Sequence, residues 1–561
     1  AITNATQPGQ SRVIEKGTKN EFYTVNLFSD YSRQLGDHYF KVMGGFNAEH
    51  QNVRTLSAQR DGIIVPDLPT IDTSTEQDVA GGGYNHWATA GFFGRLNYNY
   101  KEKYLLEVNG RYDGTSRFMK DQRWNFFPSF SLGWNVAREN FWKPLESVVN
   151  QFKLRGSWGE LGNQNTSNLY PFYEILPVKS NSGNWLVNGG KTNTADIPSL
   201  VSTLLTWERV RSFNVGFDFG AFSNRLTGSF DYFVRKTVDM VGPAPQLPLV
   251  LGIAPAIVNN ADMKSYGFEI ELSWRDRIGE VDYGVKFNLA DAQQKVVKYP
   301  NTTNAFSDWY AGKMSGEIWG YTSLGIAKTD EEMKEHLASL PNGGQNQLGN
   351  KWGAGDIMYA DINGDGKVDG GKGTLADPGD QRIIGNSTPR YNFGLVLDAS
   401  YKGFDVSIFF QGVGKRDYAP IVGTNGAVFW GAVNNIWQSM AMEEHFDYFR
   451  PEGHPMGANL NGYYPRPDFT SNKNHQVQTR YLQDASYIRL KNLQIGYTLP
   501  KQWINKLHIN RCRVYVSGDN LWTGTSLASM FDPETLAAGD WGSGKTYPLS
   551  KVISFGLNVN F

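Results

Sequence analysis

The sequence predicts an all-β fold, a transmembrane antiparallel up-and-down β-barrel with long extracellular loops, and three observations carry that reading. Apolar residues recur at every second position in about fifteen separate segments. Short and long connections alternate between those segments. The composition is rich in Gly (61), Phe (33), Tyr (28) and Trp (16), the residues of turns and interfacial rings, yet holds no run of apolar residues long enough for a helical span. A mean hydropathy of −0.45 suits barrel strands, whose second face and loops are polar.

Taken in order, Tyr23, Val25 and Leu27 share one face and Phe40, Val42, Gly44 and Phe46 the next, with residues 34–37 as the turn of a hairpin. A polar connection over residues 51–87 leads to Phe92, Leu96, Tyr98 and Tyr100. The Lys101-Glu102-Lys103 turn then leads to Tyr104, Leu106, Val108 and Tyr112. Phe130, Leu132, Trp134 and Val136 make a fifth strand, joined through residues 140–150, where a short helix fits, to Phe152, Leu154, Gly156 and Trp158. Phe213, Val215, Phe217 and Phe219 follow, and past Ser223-Asn224 the phase resets to Leu226, Gly228, Phe230, Tyr232 and Val234.

Tyr266, Phe268, Ile270, Leu272 and Trp274 oppose Glu269, Glu271 and Ser273, carboxylates that a wet lumen tolerates and a packed core does not. A turn at residues 276–280 leads to Val281, Tyr283, Val285, Phe287 and Leu289. Tyr391, Phe393, Leu395 and Leu397 pair across Lys402-Gly403 with Phe404, Val406, Ile408 and Phe410. In residues 487–499 Ile488 and Leu490 are out of phase with Leu493, Ile495, Tyr497 and Leu499, which a bulge near Lys491-Asn492 repairs. Residues 513–518 and a closing strand over 551–561, with Ile553, Phe555, Leu557, Val559 and Phe561 on the lipid face, complete the set. Each is expected near the length of a tilted membrane strand.

Charge and cysteine usage narrow the partners. With 54 basic and 55 acidic residues and no Lys/Arg cluster tracking a phosphate backbone, nucleic acid is not an expected partner. Cys512 stands alone, so an internal disulfide and a Cys-ligated zinc site are both ruled out. Residues 1–10 carry no charged or apolar leader signal, and any signal peptide is expected to have been removed already.

Parity gives a further expectation. If the last strand descends to the periplasm, an odd count makes the first descend too, whereas a complete bacterial barrel has an even number with both ends periplasmic. Residues 1–561 therefore read as the C-terminal part of a larger barrel, with its first strands outside this chain. Residues 293–388 read as a long extracellular loop region.

Within that region Asp361-Ile362-Asn363-Gly364-Asp365-Gly366-Lys367-Val368-Asp369 has calcium-loop spacing: side-chain oxygens at Asp361, Asn363, Asp365 and Asp369, the Lys367 carbonyl, and glycine at the turn. Lys372 stands where the usual twelfth ligand would be, and Asp380, after a Gly-rich insertion, is the replacement. The predicted cation is a structural Ca²⁺ that stiffens the loop; a solvated acidic turn without metal is the other reading. Residues 539–546 fit the phosphate-loop expression, but a proline-flanked loop followed by a membrane strand lacks the required helix. No Gly-x-Ser-x-Gly elbow or His-Glu-x-x-His helix occurs, and no enzyme activity is predicted. The loops carry Trp185, Trp309, Tyr310, Trp352, Trp430, Trp437, Tyr463, Tyr464 and Trp541. Such rings either contact substrate, stacking on sugars or gripping side chains, or pack loop on loop and in the interfacial belt.

Residues 154–163 (LRGSWGELGN), the Asp loop followed by Arg382-Ile383-Ile384-Gly385, residues 401–412 (YKGFDVSIFFQG), residues 487–500 (YIRLKNLQIGYTLP) and residues 514–521 (VYVSGDNL) together resemble SusC/RagA-type TonB-dependent transporters of Bacteroidetes. In that family the calcium-like loop closes with an aspartate just before Arg-x-Ile-Ile-Gly, the place of Asp380 here, and the insertion before it is a departure. The resemblance implies a 22-stranded barrel, of which about seven strands lie elsewhere. It also implies an N-terminal plug, coupling to TonB through that missing part, a SusD-like surface lipoprotein as lid, and outer-membrane lipid around the barrel. The function so implied is TonB-dependent uptake of oligosaccharides or peptides. A siderophore or cobalamin receptor of the same architecture and a secreted all-β glycan-binding protein are the alternatives.

Overall fold

Each of the alternating segments forms a strand, and the strands pair in chain order into one 15-stranded antiparallel sheet. The computed structural model describes residues 11–561 apart from 77, 167, 243–249, 251, 254–255, 421–426, 432–440, 470, 506–507 and 537–546. The strands are β1 (Arg12–Leu35), β2 (His38–Asp61), β3 (Asp78–Tyr100), β4 (Tyr104–Thr115), β5 (Trp124–Asn135), β6 (Val149–Asn163), β7 (Glu208–Ala221) and β8 (Leu226–Gly242). They continue with β9 (Val258–Ile278), β10 (Val281–Lys298), β11 (Arg390–Tyr401), β12 (Phe404–Lys415), β13 (Tyr487–Thr498), β14 (Arg511–Thr525) and β15 (Val552–Asn560). Among the described residues β1 pairs only with β2 and β15 only with β14, so the sheet has two open edges.

Strand alternation turns the apolar residues into continuous lateral rows. Val42, Leu96, Val108, Phe130, Trp158, Phe213 and Val234 are successive cross-strand partners on one face, and Val406, Ile495, Val516 and Phe555 form a second such row near the end. This face is bare: Leu132 is 59% and Leu557 65% exposed. The opposite face carries charged residues paired across strands. The Arg155 guanidinium holds Asp231 at 2.5 Å and Asp218 at 3.2 Å, and Arg513 Nε holds Asp405 at 2.9 Å. A sheet greasy on one side and wet on the other suits lipid outside and water inside.

The turns are tight where the sequence placed them. Gly36 at φ +59°, Gly279 at φ +60°, and Lys402 with Gly403 at φ +45° and +90° supply the left-handed backbone that two-residue hairpins need. Residues Asn140–Leu145 form a 3-10 helix in the expected connection; Val136 belongs to a 3-10 turn after β5 and not to the strand. Lys491 has no partner in either flanking ladder, because Phe409 and Phe410 face Asn492 and Leu490. That is the expected bulge, and it aims the Lys491 ammonium at Glu534, 2.8 Å away.

Two boundaries differ from expectation. β1, β2 and β3 have 24, 24 and 23 residues, roughly 80 Å at about 3.3 Å per residue, and reach far past the bilayer. The supposed connection at 51–87 is mostly ladder, with Thr55 opposite Gly83 and Arg60 opposite Asp78. Above the membrane neither face needs to be apolar, so the alternation fades while pairing persists. At its tip Arg12 grips Asp61 through 2.8 and 3.2 Å bonds. The long loop is likewise shifted: β10 runs to Lys298 and β11 starts at Arg390, giving a loop of 299–389 in place of 293–388.

The long loops fold into a cap with its own core. Tyr321, Ile357, Tyr359 and Val368 from the loop after β10, Phe429, Trp430, Tyr464 and Tyr481 from the loop after β12, and Leu527, Phe531 and Leu536 after β14 are buried together. The longest helix among the described residues, α1 (Asp330–Ala338), is started by Thr329, whose hydroxyl accepts the Glu332 N–H, and it buries Met333.

Candidate functional site

The Asp loop is wound by its own side chains. Asp361 accepts the N–H groups of Gly364 (2.6 Å) and Gly366 (2.8 Å), Asn363 accepts that of Asp365 (3.0 Å), and Asp365 that of Lys367 (3.2 Å). Asp369 and Asp380 are engaged otherwise. The Lys367 ammonium lies 2.5 Å from Asp369 Oδ2 and 3.9 Å from Asp365 Oδ2. Asp380, fully buried, accepts the N–H groups of Ile362, Asn363 and Asp369. Burial pushes the Asp380 carboxyl above its ordinary value against the pull of those donors. The hydrogen bond to Lys367 lowers Asp369, and the same bond raises Lys367.

Among the described residues no three His, Cys, Asp or Glu side chains converge on a metal position. Asp361, Asp365, Asp369 and Asp380, four of the six donors expected from the spacing, therefore do not gather as three around one point. The reason is local: a lysine ammonium already neutralises Asp369, and backbone amides already satisfy Asp380. As placed, the set does not fit a resident cation.

Of the nine loop rings, Trp185, Trp309, Tyr310, Trp352, Trp430 and Trp541 are the candidates for substrate contact, and the five of these that are described have different surroundings. Trp430, 3% exposed, donates to the Pro420 carbonyl and packs on Tyr481 and His475 at 4.8 and 4.5 Å. Trp352 donates to Gly349 and receives the Lys473 ammonium over its face at 4.9 Å. Both serve the cap core. Tyr310 donates to Glu317 at 2.6 Å beside half-exposed Trp309, and the Lys313 ammonium below them is held by the Phe306 and Asp308 carbonyls. Trp185, 60% exposed, precedes a small ladder of its own far along the chain from the cap. Trp541, Trp437 and the phosphate-loop-like stretch 539–546 lie outside the described residues.

What the structure does bring together is a pocket of about 180 Å³ beside Trp430, walled by Tyr448, Tyr464, Phe446 and Phe469 with His475 among its lining. Trp430 and Tyr464 stand out in the sequence as loop rings, but nothing there joins them in one pocket. The available signal was the density of rings and prolines in residues 446–449 and 463–469, without strand or helix period. A second recess of about 780 Å³ lies on the wet face of the sheet, where Lys153, Asp218, Glu271 and Lys286 contribute to its lining.

A meander of lipid-facing strands with a charged inner face and a packed loop cap defines an outer-membrane barrel of the receptor class. The chain belongs to the family described as TonB dependent receptor-like, beta-barrel, which matches residues 2–521. It is 28% identical to TonB-dependent receptor P3 of Formosa agariphila over 96% of this chain and 52% of that protein. It is 24% identical to TonB-dependent receptor SusC of Bacteroides thetaiotaomicron over 96% and 50%. Its fold matches the RagAB peptide transporter structure with a TM-score of 0.77 at 21% identity, covering 98% of this chain and 56% of that one. The chain thus spans about half the length of the curated relatives it matches. These relatives are receptors and transporters of SusC/RagA type, not enzymes, and membership of their family displaces the secreted-module reading.

Proposed function

We propose that this chain forms the C-terminal part of a transporter that takes up oligosaccharides or peptides across the outer membrane, driven through TonB and covered by a SusD-like surface lipoprotein. The observation that carries the reading is the 15-stranded sheet whose two edges are open among the described residues. Unpaired backbone groups in hydrocarbon cost several kcal/mol each, so strands from the N-terminal part of the transporter must complete the barrel, about seven of them for a 22-stranded wall. The same part supplies the plug that the charged inner face receives and the segment that TonB engages. The RagAB peptide transporter, whose fold this chain shares, supports an oligomeric nutrient as cargo.

Uptake by cells tests this directly. Deleting the gene, or deleting TonB, abolishes accumulation of a fluorescent oligomeric nutrient and spares that of its monomer. Undiminished oligomer uptake in both deletions would overturn the proposal.

A further inference from the structure

We propose that four cations on the outer face of the wall, Arg211, Lys236, Lys264 and Lys295, form a site for the phosphates of anionic lipid headgroups in the outer leaflet. They lie far apart in the sequence and side by side in the sheet. Arg211 of β7 is the cross-strand partner of Lys236 in β8, Lys236 of Lys264 in β9, and Lys264 of Lys295 in β10. At about 4.8 Å between strands the row spans roughly 14 Å. Like charges directly opposite one another destabilise a sheet, so such a row calls for anions.

The chain supplies one. Glu160, the partner of Arg211 on β6, holds that guanidinium at 2.8 Å and that of Arg209 at 3.1 Å. Among the described residues Lys236, Lys264 and Lys295 have no carboxylate in ion-pair range, and Lys236 and Lys295 are exposed. Higher on β7 and β9, Glu208 is turned to the Val241 N–H at 2.9 Å and Asp262 to the Asp239 N–H at 3.0 Å. Residues 243–257, which join β8 to β9, contain no Asp or Glu. On the inner face, by contrast, Arg155 and Arg513 each hold a carboxylate.

Position selects the anion. The four cations stand two residues above Phe213, Val234, Tyr266 and Gln293, and so on the same outward side of the wall. The Lys264 ammonium lies over the Tyr266 ring, 5.2 Å from its centre, a pairing suited to a membrane interface. Arg211 and Lys236 are ten residues up from Ala221 and Leu226 at their turn, and Lys264 and Lys295 fourteen up from Ile278 and Val281. With about 3.3 Å per residue and a tilt of about 40°, that is roughly 25 and 35 Å above the periplasmic turns. The apolar band of a barrel is about 25 Å tall, so the row faces the headgroup layer. Phosphate is the anion of that layer, and a lysine ammonium meets it as a point charge.

The test uses the complete transporter, purified in detergent, and counts bound lipid by native mass spectrometry. The probes are bisphosphoryl lipid A and the same lipid stripped of both phosphates. The wild type binds the phosphorylated lipid roughly ten- to a hundredfold tighter, and Lys236→Gln/Lys264→Gln/Lys295→Gln loses that preference. Lys236→Arg/Lys264→Arg/Lys295→Arg keeps it. Lys101→Gln/Lys143→Gln/Lys501→Gln, an equal loss of charge at the periplasmic turns, also keeps it. Equal binding of both lipids by the wild type would overturn the site. An equal drop in the two glutamine triples would do the same, because the preference would then follow net charge alone. Displacement of the lipid by millimolar inorganic phosphate would make the row a free-phosphate site and overturn the lipid assignment. If the row variant keeps the preference and instead changes the number of transporter copies per particle, the row meets protein and the inference fails.

Discussion

The Lys473 ammonium stands 2.9 Å from the Asp356 carboxylate, 117 residues away in the chain, and both side chains are buried to within 1%. Arg466 grips the same carboxylate and Asn474 donates to it, so one aspartate ties the loop after β10 to the loop after β12. Removing the charge leaves two cations facing carbonyls and the Trp352 ring. Asp356→Asn should destabilise the cap by about 3–5 kcal/mol. Trypsin should then cut after Lys351 and Lys473 while the barrel strands stay protected, as peptide mapping would detect; unchanged resistance would mean the pair does not hold the loops.

Barrel phase is tested on β15. Leu557 lies on the exposed apolar face opposite Val514, and Asn558 on the other face opposite Arg513. Leu557→Arg should cost about 2–4 kcal/mol near the midplane. Folded protein in outer-membrane fractions, read by heat-modifiable gel mobility, should fall for Leu557→Arg and hold for Asn558→Ala. Equal yields would reverse the assignment of faces.

How far the sequence could be read follows from where water is. Val42, Leu96, Val108 and Phe130 announce their strands because lipid lies on one side only, and the slip between Leu490 and Leu493 announces the bulge at Lys491. Residues 51–61 and 78–87 pair beyond the bilayer with water on both faces, so no period marks them. The cap was illegible for another reason. Tyr359, Phe429, Tyr481 and Phe531 come from three loops and meet only in space. Trp430 was visible as a ring, but its burial and its neighbours at the pocket depend on that long-range packing. At the Asp loop, spacing correctly placed acceptors for a tight turn, and the ammonium of Lys367, read from sequence only as a carbonyl ligand, was the part no spacing rule supplied.

His475 makes the cap sensitive to acid. It is packed against Trp430, and burial holds its pKa down to about 4 from an ordinary 6.5, with Asp468 opposing the shift. The unfolded cap takes the proton first, so stability is full above about 6.5 and falls as pH drops toward 4, by roughly 3 kcal/mol in all. Thermal melts of the cap between pH 7 and 4 should slope downward for the wild type and less steeply for His475→Phe. Parallel slopes would assign the acid response to other groups.

The last prediction concerns calcium at the Asp loop. Asp361, Asn363 and Asp365 already curl around the turn, but the Lys367 ammonium occupies the charge of Asp369 at 2.5 Å and stands 3.9 Å from Asp365. A divalent ion joining this loop must therefore displace an internal cation whose own protonation is favoured by Asp369. Lys367→Met removes the competitor and leaves two carboxylates without a counter-ion, while the position's carbonyl stays in the backbone. Millimolar calcium should raise the melting temperature of the Lys367→Met cap by more than it raises the wild type, and chelation should reverse the gain. Magnesium should do less, because it demands a tighter octahedral shell than a flexible loop of carboxylates and a carbonyl provides. The same response in both proteins would show that Lys367 does not compete for the site. No response in the variant would leave the loop as a turn closed by its own amides, with Asp380 seated on the N–H groups of Ile362, Asn363 and Asp369 in place of a metal ligand's role.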